Sequence, residues 1–284
     1  MVDVTSIEAL RQSVGKCQEA CDPIALAPAR HLAATFDRGD ADLVEGGALP
    51  PGWHWLYFLD APATALLGPD GRTVPQGFLP DTGLPRRMWA SGSFVFHGAL
   101  RLGGQARSTM TIADITQKQG RSGALVFITT QHLVHQDDRL VVEEQRNLVF
   151  REAEQPGETP RHDEAPRDGT WQRTVMPDPV LLFRFSALTF NAHRIHYDST
   201  YCREVEGYPG LVVHGPMLAL LMLDLLGREC PGRAVRRFDY RAASPLFAGE
   251  PFTVAGRESA EGAAELWVAG SRGQLATAAT ATFA

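Results

Sequence analysis

The sequence predicts an α+β protein made of two halves, each an antiparallel sheet with helical material ahead of its strands. Three observations lead to this prediction. A polar segment at 151–170, with three prolines and almost no large apolar side chains, divides the chain. Each half ends in consecutive segments rich in β-branched and aromatic residues, and one helix in the second half is apolar on nearly every side. We therefore expect residues 1–150 and 171–284 to form two domains joined by a linker.

In the first half a helix is predicted at 25–36, followed by a segment rich in proline and glycine at 50–85. Short polar or glycine-containing turns then separate four strand-like segments, which indicates an antiparallel meander. The predicted strands lie at 93–102, 105–116, 124–135 and 140–151.

The second half begins with a segment at 179–190 that we expect to be extended, followed by helices at 199–206 and 213–226. Residues 211–226 are apolar on nearly every side, which is typical of a helix enclosed by its sheet. The first half has no comparable helix. The predicted strands of the second half lie at 234–241, 252–258, 264–269 and 275–283.

Composition excludes several classes of protein. A formal net charge of −6 argues against binding to nucleic acid, which requires a basic surface, and no apolar run is long enough to suggest a membrane span. Four cysteines and no apolar leader segment indicate a reducing cytosol. Cys17 and Cys21 are spaced to share one face of a predicted helix, but we expect them to be structural.

Reactive side chains are densest between Thr189 and Asp198. Asn191, His193, Arg194 and His196 lie within this segment, which follows the predicted extended segment, and functional loops are usually found at such positions. The clustering of these reactive side chains favours a catalytic role for them over a role as solvated surface residues or helix caps.

A second motif, Val213-His214-Gly215-Pro216, lies at the start of the apolar helix. A glycine there lets a ligand approach backbone N–H groups at the positive end of the helix, where a thioester carbonyl could bind. The alternative is that Gly215 eases a turn and Pro216 occupies the first helical turn.

Together these motifs resemble the MaoC-like, hydroxyacyl-thioester dehydratase type 2 family. The family pattern of an acid or amide, a histidine five residues later and a Val-His-Gly helix start corresponds to Asn191, His196 and residues 213–215. Asn191 replaces the usual aspartate, and His193 stands where an asparagine is common. Residues 83–90 and 142–145 resemble the FAS1-like dehydratase domain that precedes the catalytic domain in this family.

The resemblance implies a double hotdog, with two antiparallel sheets that each wrap around a helix. Residues 1–150 would form a degenerate first hotdog, and residues 171–284 would form the catalytic one. It also implies an enzyme that adds water reversibly to an enoyl-CoA thioester without a cofactor or metal, and it is compatible with a homo-oligomer. The length is similar to that of members acting on branched C5 dicarboxylic esters, itaconyl-CoA or mesaconyl-C4-CoA, which would place the chain in itaconate degradation.

Roles for individual residues follow from this resemblance and from side-chain chemistry. His196 would carry the proton, Asn191 would orient the water and the Gly215 N–H would bind the thioester carbonyl. Arg194 would bind a distal carboxylate. The remaining substrate-binding candidates are His193, Val213 and His214 near the acyl group, and Arg86, Arg87 and Trp89 for the CoA moiety.

Four alternatives remain open at this stage. Hotdog folds also host thioester hydrolysis, and a 3-hydroxyacyl-thioester dehydratase of fatty-acid metabolism would use the same residues. His193, His196 and His214 could instead share a metal ion. A non-catalytic acyl-thioester binding module is the last alternative.

Overall fold

The computed structural model describes residues 5–74, 77–120, 123–152, 162–259 and 262–284. Within these ranges ten strands form one continuous sheet, and every neighbouring pair is antiparallel. The strands are β1 (Cys17–Pro23), β2 (Arg86–Phe96), β3 (Gln105–Gly120), β4 (Gly123–Gln136), β5 (Arg139–Arg151), β6 (Trp171–Val175), β7 (Val235–Ala242), β8 (Phe252–Glu258), β9 (Ala264–Ala269) and β10 (Leu275–Phe283).

The sheet runs in the order β1-β3-β4-β5-β2-β7-β10-β9-β8-β6, so each half of the chain supplies one side of it. The two sides join where β2 pairs with β7, from Ser91 opposite Arg241 to Val95 opposite Arg237. We expected two separate sheets, and the structure differs in this respect. Pairing β2 with β7 removes two strand edges whose backbone groups would otherwise lack partners.

In the described part of the chain, five α-helices accompany the sheet: α1 (Ile7–Arg11), α2 (Leu26–Thr35), α3 (Pro179–Leu188), α4 (Ser199–Glu204) and α5 (Gly215–Glu229). The ten residues from Met217 to Leu226 in α5 are all buried, and the helix packs against β6, β8, β9 and β10. The prediction of an enclosed apolar helix is therefore confirmed. None of the described helices is long and apolar enough to span a membrane.

The segment that we expected to be extended at 179–190 is a helix, so that prediction is wrong. Asp178 caps α3 by accepting a hydrogen bond from the Leu181 N–H at 2.7 Å, and Pro179 occupies the first turn. The helix buries Leu182, Phe185 and Ser186 on one face, at helical spacing. The dense apolar run concealed this periodicity, whereas the Asp-Pro pair signals a helix start.

Two further segments differ from expectation or lie partly outside the described residues. Cys17 and Cys21 lie on β1, opposite Thr111 and Arg107, so the predicted helix at this point is wrong. Of the predicted linker at 151–170, residues 153–161 lie outside the described ranges. Ala165 is buried and packs with Ala255, Trp267 and Leu275 of the second half.

A buried carboxylate anchors the first half. Glu144 is fully buried and accepts hydrogen bonds from His54 Nε2 and Trp55 Nε1, both at 2.9 Å, and Arg146 pairs with it. Burial alone would raise the pKa of Glu144, but Arg146 and His54 outweigh it and hold the pKa well below its usual range. Because β5 lies between β4 and β2, Glu143 and Glu144 are on an interior strand of the sheet.

Glu144→Gln should destabilise the protein by about 3–5 kcal/mol, because it leaves the Arg146 guanidinium without its counter-charge. Urea unfolding followed by tryptophan fluorescence measures this loss. Glu143→Gln is the matched control on the neighbouring, 41% exposed side chain, and we expect it to cost less than about 1 kcal/mol. Equal midpoints for the two variants would contradict this role for Glu144.

Candidate active site

The loop between α3 and α4 carries the clustered reactive residues, and backbone hydrogen bonds hold it in a tight turn. Phe190 adopts a left-handed conformation with φ of 48°. The Asn191 N–H then donates to the Ser186 carbonyl at 2.8 Å, and Asn191 Oδ1 accepts from the His193 N–H at 3.0 Å. A short 3₁₀ helix, Arg194–His196, follows. The turn therefore fixes Asn191 and His196 on one rigid segment.

His196 is buried, and the hydrogen bond of its ring fixes its tautomer. Nδ1 lies 2.7 Å from the carbonyl oxygen of Val212. Since a carbonyl can only accept, Nδ1 must carry the proton, and the neutral ring then presents Nε2 as an unprotonated base. Burial lowers the pKa of His196 to about 4, and the bond to Val212 opposes this shift only in part. The imidazole is therefore neutral at physiological pH.

The ring of His214 stacks against the ring of His196. The two rings stack with centroids 3.6 Å apart at 17°, and His214 Nε2 lies 2.9 Å from the Ser186 hydroxyl. His214 is fully buried, and burial followed by the proximity of His196 lowers its pKa well below the usual value. His214 supports the orientation of His196 and has no access to solvent.

His193 also lies next to His196, with the two rings perpendicular and their centroids 5.6 Å apart. Burial, followed by the positive charge of Arg72, lowers the pKa of His193 to about 3. The structure thus brings together the three histidines considered as metal ligands. Among the described residues, however, no group of three or more His, Cys, Asp or Glu side chains is arranged to hold a metal ion.

The entrance of α5 lies beside this cluster. Gly215 is the first residue of α5, and its N–H has no acceptor among the described residues. A Cβ built at this position would lie 3.7 Å from Cβ of Trp89, which is ordinary van der Waals contact, so Trp89 lines the end of the helix. The Val213 N–H, in contrast, already donates to the Leu246 carbonyl at 2.8 Å. The Gly215 N–H is thus a backbone donor at this helix end that a ligand could use.

Two of the predicted substrate-binding arginines already have protein partners. Arg194 donates to Asp198 Oδ2 from Nε and Nη2, at 3.1 and 2.7 Å, and to the Pro69 carbonyl from Nη1 at 3.0 Å. Arg86 donates to the Tyr208 hydroxyl at 3.1 Å and to the Glu206 carbonyl at 2.7 Å. Both guanidinium groups therefore stabilise loops in the structure.

The first half contributes residues that sequence analysis missed. The carbonyl of Asp70 accepts the Arg194 N–H at 2.8 Å, and Arg72 pairs with the Asp70 carboxylate. A Cβ at Gly71 would collide with the carbonyl oxygen of Ala192, so the two loops pack backbone to backbone. The Gly-Pro-Asp-Gly turn at 68–71 was a visible signal of a tight loop, but nothing in the sequence indicated which segment it contacts.

Trp89 and Arg87 lie on β2, next to the helix entrance. Trp89 Nε1 donates to the Tyr240 hydroxyl at 2.8 Å, and its ring packs against Trp55. Arg87 is exposed and has neither a hydrogen bond nor an ion pair within the described part of the chain. Strand β2 thus contributes an aromatic side chain, Trp89, and a guanidinium group, Arg87, to the site.

With this geometry established, comparison with known proteins identifies the family. A family model described as hydroxyacyl-thioester dehydratase type 2 matches residues 52–248, which contain every candidate site residue named above. The chain belongs to the hydroxyacyl-thioester dehydratase type 2 family. The resemblance seen in the sequence is thereby confirmed.

Individual relatives agree with this membership. The chain is 42% identical to a mesaconyl-C(4)-CoA hydratase of Chloroflexus aurantiacus over 94% of this chain and 95% of the relative. A MaoC-like dehydratase from Phytophthora capsici has a similar fold, with a TM-score of 0.73 at 14% identity over 99% of both chains. A Mycobacterium tuberculosis protein described as a double hotdog superposes with a TM-score of 0.60 at 14% identity over the whole of both chains. The predicted double hotdog class is confirmed.

The tautomer and pKa of His196 can be measured directly. In ¹⁵N-labelled protein, we expect His196 to keep Nδ1 protonated and Nε2 unprotonated from neutral pH down to about pH 5, because burial lowers its pKa to about 4. Long-range ¹H–¹⁵N spectra report both ring nitrogens, and a His196→Gln spectrum assigns the signal. A ring protonated at Nε2 at neutral pH would contradict the structure.

Proposed function

We propose that this protein adds water reversibly to the carbon–carbon double bond of an enoyl-CoA thioester, as a hydratase or dehydratase. The observation that carries the proposal is the pairing of a buried, neutral imidazole with an open helix N-terminus. His196 offers an unprotonated Nε2, and Gly215 offers an N–H without an acceptor among the described residues. A base and an oxyanion donor are the two groups that this chemistry requires.

The thioester carbonyl docks at the Gly215 N–H in this scheme. When water attacks Cβ, the π electrons move toward the carbonyl and the thioester becomes an enolate. Negative charge then develops on the carbonyl oxygen, where the N–H and the positive end of α5 stabilise it. Trp89 flanks this entrance.

Proton transfer is assigned to His196 alone. Nε2 accepts a proton from the attacking water as its oxygen bonds to Cβ, and the same proton is then delivered to Cα of the enolate. Asn191 cannot exchange protons at neutral pH, and its Oδ1 already accepts the His193 N–H. Its NH₂ group can orient the water. Because one group handles both steps, oxygen and hydrogen add to the same face of the double bond.

The acyl group that we propose is a branched C5 dicarboxylate. The relative named mesaconyl-C(4)-CoA hydratase, at 42% identity, supports this choice. Hydration of mesaconyl-C4-CoA gives citramalyl-CoA, and itaconyl-CoA leads to the same product. The family description also fits a 3-hydroxyacyl-thioester dehydratase. The exposed thiols of Cys17 and Cys21 suit the reducing cytosol that we infer as the compartment.

His196→Ala should reduce turnover by about a hundredfold or more, because it removes the general base. Asn191→Ala should cost less, about tenfold, because it removes the hydrogen bond that orients the water and the turn bond to the His193 N–H but leaves the base in place. The assay follows the loss of enoyl-thioester absorbance with mesaconyl-C4-CoA and, in parallel, the appearance of free thiol. His31→Ala, which changes an exposed imidazole on α2, is the matched control.

Each readout can contradict part of the proposal. Release of free thiol at the rate of double-bond loss would identify a thioesterase and overturn hydration. A His196→Ala variant that kept more than about a tenth of wild-type turnover would overturn the role of His196 as the base.

A further inference from the structure

Arg87 is a cation without a counter-charge in the candidate site. Its guanidinium is exposed and makes neither a hydrogen bond nor an ion pair in the portion of the chain that the structure describes. The nearby arginines already have protein partners: Arg194 pairs with Asp198, Arg86 with Glu206 and Tyr208, and Arg146 with Glu144. Arg87 is therefore the arginine of this region that remains available for a ligand.

The strand geometry directs Arg87 toward the site. Side chains two apart on a strand share a face, and Arg87 lies two residues before Trp89 on β2. The Trp89 Cβ lies 3.7 Å from the position of a Cβ on Gly215. Arg87 is thus the neighbour, on the same face of β2, of Trp89, which faces the proposed thioester-binding end of α5.

The surroundings of Arg87 carry an excess of positive charge. Arg72 pairs with the Asp70 carboxylate and donates to the Pro85 carbonyl at 3.1 Å, so the one nearby acid is already used. Although solvent reaches this residue, the protein atoms around its guanidinium desolvate it in part, and this effect, followed by the charge of Arg72, lowers the pKa of Arg87 to about 10; Asp70 opposes the shift only in part. Two guanidinium groups and one carboxylate leave a net charge of +1 that a ligand anion could neutralise.

This excess charge lies beside the catalytic histidine. Arg72 and Arg87 both lower the pKa of His193, whose ring is 5.6 Å from that of His196. A ligand anion held by Arg87 would therefore lie near the water that His196 activates.

We propose that Arg87 binds the free carboxylate of the acyl group and so sets the preference for dicarboxylic esters. This inference rests on the proposed hydration of an enoyl-CoA. In mesaconyl-C4-CoA the free carboxylate is bonded to Cβ, the carbon that water attacks, so its partner must lie close to His196. The CoA phosphates, the other anions of the substrate, lie at the far end of the pantetheine arm. A planar guanidinium also matches both oxygens of a carboxylate.

The test compares two esters that share CoA and differ in the acyl carboxylate. For Arg87→Gln, kcat/KM with mesaconyl-C4-CoA should fall about 10- to 100-fold, the loss expected for charge-assisted hydrogen bonds. With crotonyl-CoA it should change less than about twofold, because that substrate has no carboxylate for Arg87. Arg87→Lys keeps the charge without the two-pronged geometry, so its loss should be intermediate. Arg139→Gln, an exposed arginine at the start of β5, is the control and should affect neither ester.

The outcomes distinguish a failure of carboxylate binding by Arg87 from a failure of the proposed hydratase activity. Equal losses on both esters would overturn the carboxylate assignment and place Arg87 on a CoA phosphate. Unchanged kinetics on both esters would overturn any anion-binding role. Inactivity of the wild-type protein on every enoyl-CoA would instead refute the hydratase itself. Should Arg87→Gln fail to fold, Arg87→Lys provides the same comparison between the two esters.

Discussion

The proposed chemistry of this protein depends on one hydrogen bond, from Nδ1 of His196 to the carbonyl oxygen of Val212. The bond fixes the tautomer, leaves Nε2 as a base and holds the ring against His214. Val212 directly precedes the Val-His-Gly helix start, so the same segment positions the base and the open Gly215 N–H. Burial keeps the imidazole neutral, since its charged form would be poorly solvated there. The base and the oxyanion donor are thereby held in a fixed relation.

The first half of the chain completes the site although it has no helix comparable to α5. Its loop around Gly71 packs backbone to backbone on the loop between α3 and α4, and β2 carries Arg87 and Trp89 to the end of α5. The β2–β7 pairing that unites the two sides of the sheet makes this possible. We propose that the first hotdog lost its own site and now shapes the substrate pocket of the second.

The sequence was sufficient for the parts of the fold and site that depend on local patterns. The enclosed helix follows from an apolar run, and the candidates Asn191, His196 and Gly215 follow from the family resemblance. Helix α3 was misinterpreted because its apolar run concealed the helical period. Partners distant in sequence could not be inferred: that Glu206 pairs with Arg86, and that the Arg87 guanidinium has no partner among the described residues, are facts of tertiary packing. For the same reason, the contribution of Asp70 and Arg72 became visible only in the folded chain.

We propose that a single base, His196, serves both proton transfers from one face of the substrate. Hydration of mesaconyl-C4-CoA in D₂O tests it, because deuterium from the solvent makes Cα of citramalyl-CoA a stereocentre. NMR of the product at early conversion gives the relative configuration at Cα and Cβ. The account predicts that deuterium and hydroxyl add to the same face. Addition to opposite faces would require a second proton donor across the substrate and would contradict it.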